Sequence, residues 1–111
     1  NVVIYKPATP GYENAPTVIL QGHMDMVCAK CPEIEHDFTK NGLKLVVKDG
    51  FLSAEGTTLG GDDGIAVAYG LALLDSTDLP HPALEVVFTV DEETGLRLQP
   101  FEGKKNDQSG F

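Results

Sequence analysis

Thr17-Val18-Ile19-Leu20-Gln21-Gly22 runs directly into His23-Met24-Asp25. A short, mainly apolar run that ends in glycine and a polar cluster predicts a strand covered on both faces. A second run of this kind is Leu84 to Val90, followed by Asp91-Glu92-Glu93-Thr94-Gly95. Between them lies the glycine-rich turn Thr57-Thr58-Leu59-Gly60-Gly61-Asp62-Asp63-Gly64, which opens an apolar helical stretch. In α/β sheets, ligands gather beyond the carboxyl ends of the strands. One imidazole and six carboxylates at such an edge suit a divalent, zinc-like metal.

The remaining elements follow from local patterning. Val2-Val3-Ile4-Tyr5 is a β-branched run ended by Pro7, Pro10 and Gly11, and so reads as a strand. Residues 28–42 form a polar loop. Asp49-Gly50 between Leu43–Lys48 and Phe51–Ala54 is a hairpin turn, which returns the segment from Glu55 onward to the hairpin's own start. Ile65 to Leu74 is apolar nearly all round, which predicts a buried helix. Asp62 or Asp63 is expected to cap that helix, and Pro80 and Pro82 bar its continuation. Strand, hairpin, helix and strand in this order predict an α/β layer with mixed or parallel pairing. The chain contains no internal repeat.

Length and charge narrow the function. At 111 residues the chain is at most one small domain, and its net charge of -9 leaves no basic stripe to neutralise phosphates, which argues against nucleic acid. No apolar stretch approaches the ~20 residues of a membrane span. Metal-site carboxylates explain part of the acidic excess, and a solvated acidic surface explains the rest. Opening at Asn1 inside a strand-like run, the chain reads as a fragment. Beyond Gly95 the patterning stops, and residues 97–111 read as an irregular tail. Cys28 and Cys31 are spaced as a redox pair, but Pro32 follows and a zinc ribbon needs a second pair. Two reduced thiols in a cytosolic loop are the plainer expectation.

Each acidic segment has a bland reading and a chemical one. His23 alone is more simply a hydrogen-bonded structural histidine. With Asp25 two residues on, it becomes a ligand whose second ring nitrogen is held by a carboxylate. Asp62 and Asp63 alone complement a helix dipole. Between glycines they also suit a carboxylate bridging two metals about 3.5 Å apart. Glu92 and Glu93 alone form a solvated turn, whereas beside a metal one is a ligand and the other a general base.

Taken together, His23-Met24-Asp25-Met26-Val27, Gly56 to Ile65 and Asp91-Glu92-Glu93-Thr94-Gly95 resemble the aminoacyl-histidine dipeptidases. These are also called Xaa-His or cytosolic non-specific dipeptidases. They fall within the co-catalytic zinc peptidases that include peptidase T and the aminoacylases. The resemblance covers about residues 1–96, including His36-Asp37-Phe38, and implies the N-terminal part of a zinc exopeptidase catalytic domain: a mixed β-sheet with flanking helices. It implies His23, Asp62 and Glu93 as metal ligands, with Asp62 bridging two divalent ions, zinc foremost. Asp25 would orient His23, Glu92 would be the general base, and the Asp62–Asp63 peptide would be cis. The implied reaction is hydrolysis of dipeptides in the cytoplasm, and a homodimer of the full-length protein is left open. The family's further aspartate and histidine ligands and its lid domain have no counterpart after Gly95, so the chain is expected to hold half of a dinuclear site and to be inactive alone. The competing expectations are a non-catalytic acidic metal-binding or interaction module on the same scaffold, and a thiol protein using Cys28 and Cys31.

Overall fold

The computed structural model describes residues 1–94. Gly95 and the expected irregular tail at 97–111 lie outside the described residues. In chain order the elements are β1 (Val2–Lys6), β2 (Val18–His23), β3 (Leu45–Lys48), β4 (Phe51–Ala54), α1 (Gly61–Asp75) and β5 (Leu84–Thr89). Three strands form a mixed sheet in the order β1-β5-β2. β1 runs antiparallel to β5, and β2 runs parallel to it from Val18 opposite Leu84 to His23 opposite Thr89. The fold is therefore α/β, as the order of elements predicted.

The core sits where the central strand meets the helix. Leu84, Val86, Val87 and Phe88 are buried, and each such side chain contributes roughly 1.5–3 kcal/mol on leaving water. Strand alternation and register place Val2, Ile4, Lys6, Val18, Leu20, Gly22, Leu84, Val86 and Phe88 on one face. Two glycines let α1 lie close on this face. A β-carbon at Gly70 would stand 3.0 Å from Val86 Cγ1 and 3.1 Å from the Phe88 ring, and one at Gly22 would stand 2.9 Å from Ala66 Cβ. Lys6 closes the far end: its ammonium donates to the carbonyl of Leu73 at 2.8 Å and to Ser76 Oγ at 3.2 Å. It supplies the positive charge that the last turn of α1 lacks.

Several expectations are corrected here. Neither Asp62 nor Asp63 caps α1. Gly60, in the left-handed region at φ 74°, precedes the helix with no side-chain cap. Asp62 (φ -91°, ψ 107°) and Asp63 (φ -117°, ψ 34°) interrupt its first turn with non-helical backbone. The Asp62–Asp63 peptide is cis, as the resemblance implied. Of the helix residues only Gly70 is buried, while Ile65, Tyr69 and Leu71 are each at least half exposed. An apolar helix with a single sheet beneath it covers that sheet with one side only. Likewise β2 is covered on one face among the described residues, and Ile19 on the other face is 63% exposed.

The hairpin forms as expected. Asp49 (φ 52°) and Gly50 (φ 78°) are both left-handed, the requirement of a type I′ turn. Glu55 N–H donates to the carbonyl of Lys44 at 2.9 Å, so the chain does return to the hairpin's base. Cys28 and Cys31 are exposed free thiols. The isolated antiparallel bridge between Lys30 and Thr57, flanked by Cys31 N–H to Gly56 O and Thr58 N–H to Ala29 O, ties residues 29–31 to the glycine-rich turn.

Of the two glycines at the contact of α1 with the sheet, Gly22 leaves the less room for a β-carbon, and it lies next to His23. Gly22→Ala is expected to destabilise the chain by about 1–3 kcal/mol through overpacking against Ala66. Thermal denaturation followed by circular dichroism checks this; an unchanged midpoint would show that α1 has room to move off β2.

Candidate metal centre

Three segments deliver the predicted residues to one end of the sheet. The parallel register sets His23, the last residue of β2, opposite Thr89, the last of β5. Met24 N–H continues the ladder to Thr89 O at 2.8 Å. Two residues beyond β5, Asp91 adopts a left-handed backbone (φ 64°), a conformation aspartate tolerates, and this turns Glu92 and Glu93 back toward β2. The start of α1 lies over Gly22, within 3.3 Å of whose notional β-carbon stands Asp63 Oδ2. This brings Asp62 to the same end.

His23 is the hub. It is buried, and both ring nitrogens face oxygens. Nε2 lies 3.0 Å from Asp62 Oδ1 and 4.0 Å from Glu92 Oε2. Nδ1 lies 3.0 Å from the carbonyl oxygen of Asp25 and 3.4 Å from its carboxylate. The nearer partner of Nδ1 is thus the Asp25 backbone rather than the side chain expected from sequence. The Asp25 carboxylate is used elsewhere: it accepts Glu92 N–H at 3.3 Å and Glu93 N–H at 3.0 Å. One donor atom each from His23, Asp62 and Glu93 lies within 4.8 Å of the others, close enough for a metal ion. An imidazole nitrogen and carboxylate oxygens are a donor set that zinc accepts, and the Asp25 carbonyl fixes the imidazole so that Nε2 faces the site.

Sequence reading overlooked how the glycine-rich turn is held. Thr58 Oγ1 donates to the carbonyl of Val27 at 2.6 Å, and Thr58 N–H to that of Ala29 at 2.9 Å. These bonds tie the segment after His23 to the turn that carries Asp62. Met26 packs on Gly60, where a β-carbon would come within 2.9 Å of its sulfur. Beside them a cleft of about 280 Å³, lined by Met26, Leu59, Gly60, Asp62 and Glu93 among others, opens next to the donor cluster. The Thr57-Thr58 pair before the glycines was the only available signal, and it has no meaning without its partners.

The electrostatics follow from these contacts. Burial draws the His23 pKa down, but the hydrogen bonds to Asp62 and to the Asp25 carbonyl, with the charges of Glu92 and Asp25, raise it above the ordinary value. Burial pushes the Asp25 carboxyl up, and the amides of Glu93 and Glu92, with the charge of His23, more than reverse this and hold it low. A histidine raised in the folded state adds stability that is fully present below its unfolded pKa of about 6.5 and is lost as pH rises through its folded value. His23 in the metal-free chain is therefore expected to titrate above about 6.5. Asp62→Asn should lower that value by removing the charged acceptor from Nε2. Imidazole proton shifts in a pH titration by NMR measure both, and an Asp62→Asn titration at the same pH as the parent would contradict the assignment.

No family model matches the chain. Individual proteins do. It is 45% identical over 96 residues to the cytosol non-specific dipeptidase of Escherichia coli (strain K12), covering 86% of this chain and 20% of that protein. It is 45% identical over 67 residues to peptidase T of Pasteurella multocida (strain Pm70), 58% of this chain and 15% of that one. The crystal structure of aminoacylhistidine dipeptidase from Vibrio alginolyticus superposes with a TM-score of 0.81 at 46% identity, covering 84% of this chain and 19% of that one. Over most of its length, the chain is a homologue of the cytosol non-specific and aminoacylhistidine dipeptidases, and it spans about one fifth of theirs.

Proposed function

We propose that this chain carries part of the catalytic centre of a metal-dependent dipeptidase, cytoplasmic like the enzyme its E. coli relative is named for. The observation that carries the reading is the convergence of His23, Asp62 and Glu93 from three separate segments, with Glu92 beside them. His23 and Glu93 would each hold one divalent ion, zinc being the best match to the donors, and Asp62 would bridge the two. When bound, such ions polarise a scissile carbonyl and lower the pKa of water. Glu92, whose Oε2 lies 4.0 Å from His23 Nε2, takes the proton of the attacking water and passes it to the leaving amine. The Asp25 carbonyl fixes the ring of His23 for its part. The substrate is a dipeptide, and preference for Xaa-His over other dipeptides rests on the relatives' names alone. Among the described residues no helix is long and apolar enough to cross a membrane.

Ligand counting sets the expected behaviour. A catalytic zinc takes about three protein ligands and keeps one position open. Shared through Asp62, the three described donors give each ion two. The 111-residue chain is thus expected to bind zinc weakly and to hydrolyse no dipeptide at a measurable rate. In a chain extended to the relatives' length, Glu92→Gln should lower kcat by about 10²–10⁴-fold with metal content unchanged. Zinc calorimetry and a dipeptide hydrolysis assay test both. Tight binding of two zinc ions by the short chain would contradict the ligand count, and full turnover by the extended Glu92→Gln variant would remove Glu92 from the base role.

A further inference from the structure

The side chain of Asp25 is committed to the backbone of the opposite strand end. Its two carboxylate oxygens accept successive amide protons, Glu92 N–H at 3.3 Å on Oδ1 and Glu93 N–H at 3.0 Å on Oδ2. Its own carbonyl meanwhile faces His23 Nδ1 at 3.0 Å. Successive N–H groups after a left-handed residue form a concave anion seat. Asp91, at φ 64°, creates that seat, and Asp25 fills it from β2.

Like charge makes the arrangement consequential. Asp91, Glu92 and Glu93 are adjacent acids, and Asp25 adds a fourth to the same corner. Repulsion alone would swing the acidic turn outward. Charge-assisted hydrogen bonds to both amides oppose this. They hold the turn at one distance from His23, whose ring the same residue fixes through its carbonyl. A single residue therefore gauges the separation between the histidine on β2 and the glutamates beyond β5.

We propose that Asp25 is a positioning residue for the Glu92–Glu93 turn, setting both glutamates against His23 through their amides in addition to its contacts with the imidazole. Its consequence for metal binding rests on the reading given under Proposed function, whereas the positioning itself does not.

The test uses the full 111-residue chain, its Asp25→Asn and Asp25→Ala variants, and amide NMR with and without added zinc. In the metal-free parent, the amide protons of Glu92 and Glu93 should lie downfield and exchange slowly. Asp25→Ala should move both upfield and speed their exchange about tenfold or more, while those of Val86 and Phe88 in the core strand change less than about twofold. Asp25→Asn keeps the shape and one acceptor oxygen, so one amide should stay protected and the other not. It also decides the matter should Asp25→Ala fail to fold. On zinc addition, His23 and Glu93 should respond at the same concentration in the parent, and His23 alone in Asp25→Ala. Unchanged shifts and exchange at Glu92 and Glu93 in Asp25→Asn would overturn the proposal. A parent that shows no zinc response would instead count against the metal reading, and the amide comparison would still decide the role of Asp25.

Discussion

The parallel, in-register pairing of β2 with β5 is the constraint on which the site depends. It ends both strands at the same level, His23 opposite Thr89. A slip of one residue would send His23 to the other side of the sheet and separate it from the turn that follows β5. The register is held from the face of the sheet that packs under α1. Val86 and Phe88 bury themselves under α1 at Gly70, and Gly22 admits Ala66 where no larger residue fits. The helix that fixes the register is the one whose first turn carries Asp62. Packing and site assembly are one event.

The second determinant is charge. Acidic groups crowd one end of a small sheet, and among the described residues one imidazole and a few backbone amides oppose their repulsion in the metal-free chain. His23 meets this by binding protons more readily than an ordinary histidine. Asp25 meets it by taking two amide protons, which hold its own carboxyl low. A cation set among Nε2 and the carboxylates would do the same work more completely. A proton and such a cation would compete for one position, at the nitrogen that faces Asp62.

Much of this was legible in sequence. Short apolar runs marked β1, β2 and β5, and Asp49-Gly50 marked the hairpin because two left-handed residues in succession leave few alternatives. Convergence of His23, Asp62 and Glu93 was readable from the rule that strand carboxyl ends collect ligands. The misreadings share a cause. Covered faces were inferred for β2 and α1 from hydrophobicity, yet burial depends on neighbours, and Ile19, Ile65 and Tyr69 stay more than half exposed among the described residues. Asp62 and Asp63 looked like helix caps because a cap and an interrupted first turn use the same residues. Spacing placed Asp25 beside His23, where its carbonyl lies 3.0 Å and its carboxylate 3.4 Å from Nδ1. Only the three-dimensional position of the Glu92 and Glu93 amides shows what else that carboxylate holds.

Anomalous X-ray diffraction at the zinc edge, from crystals of the chain grown with zinc, tests the central claim most directly. A peak is expected about 2.0–2.2 Å from His23 Nε2, shared with carboxylate oxygens of Asp62 or Glu93. A peak at Cys28 and Cys31, or none near His23, would contradict it.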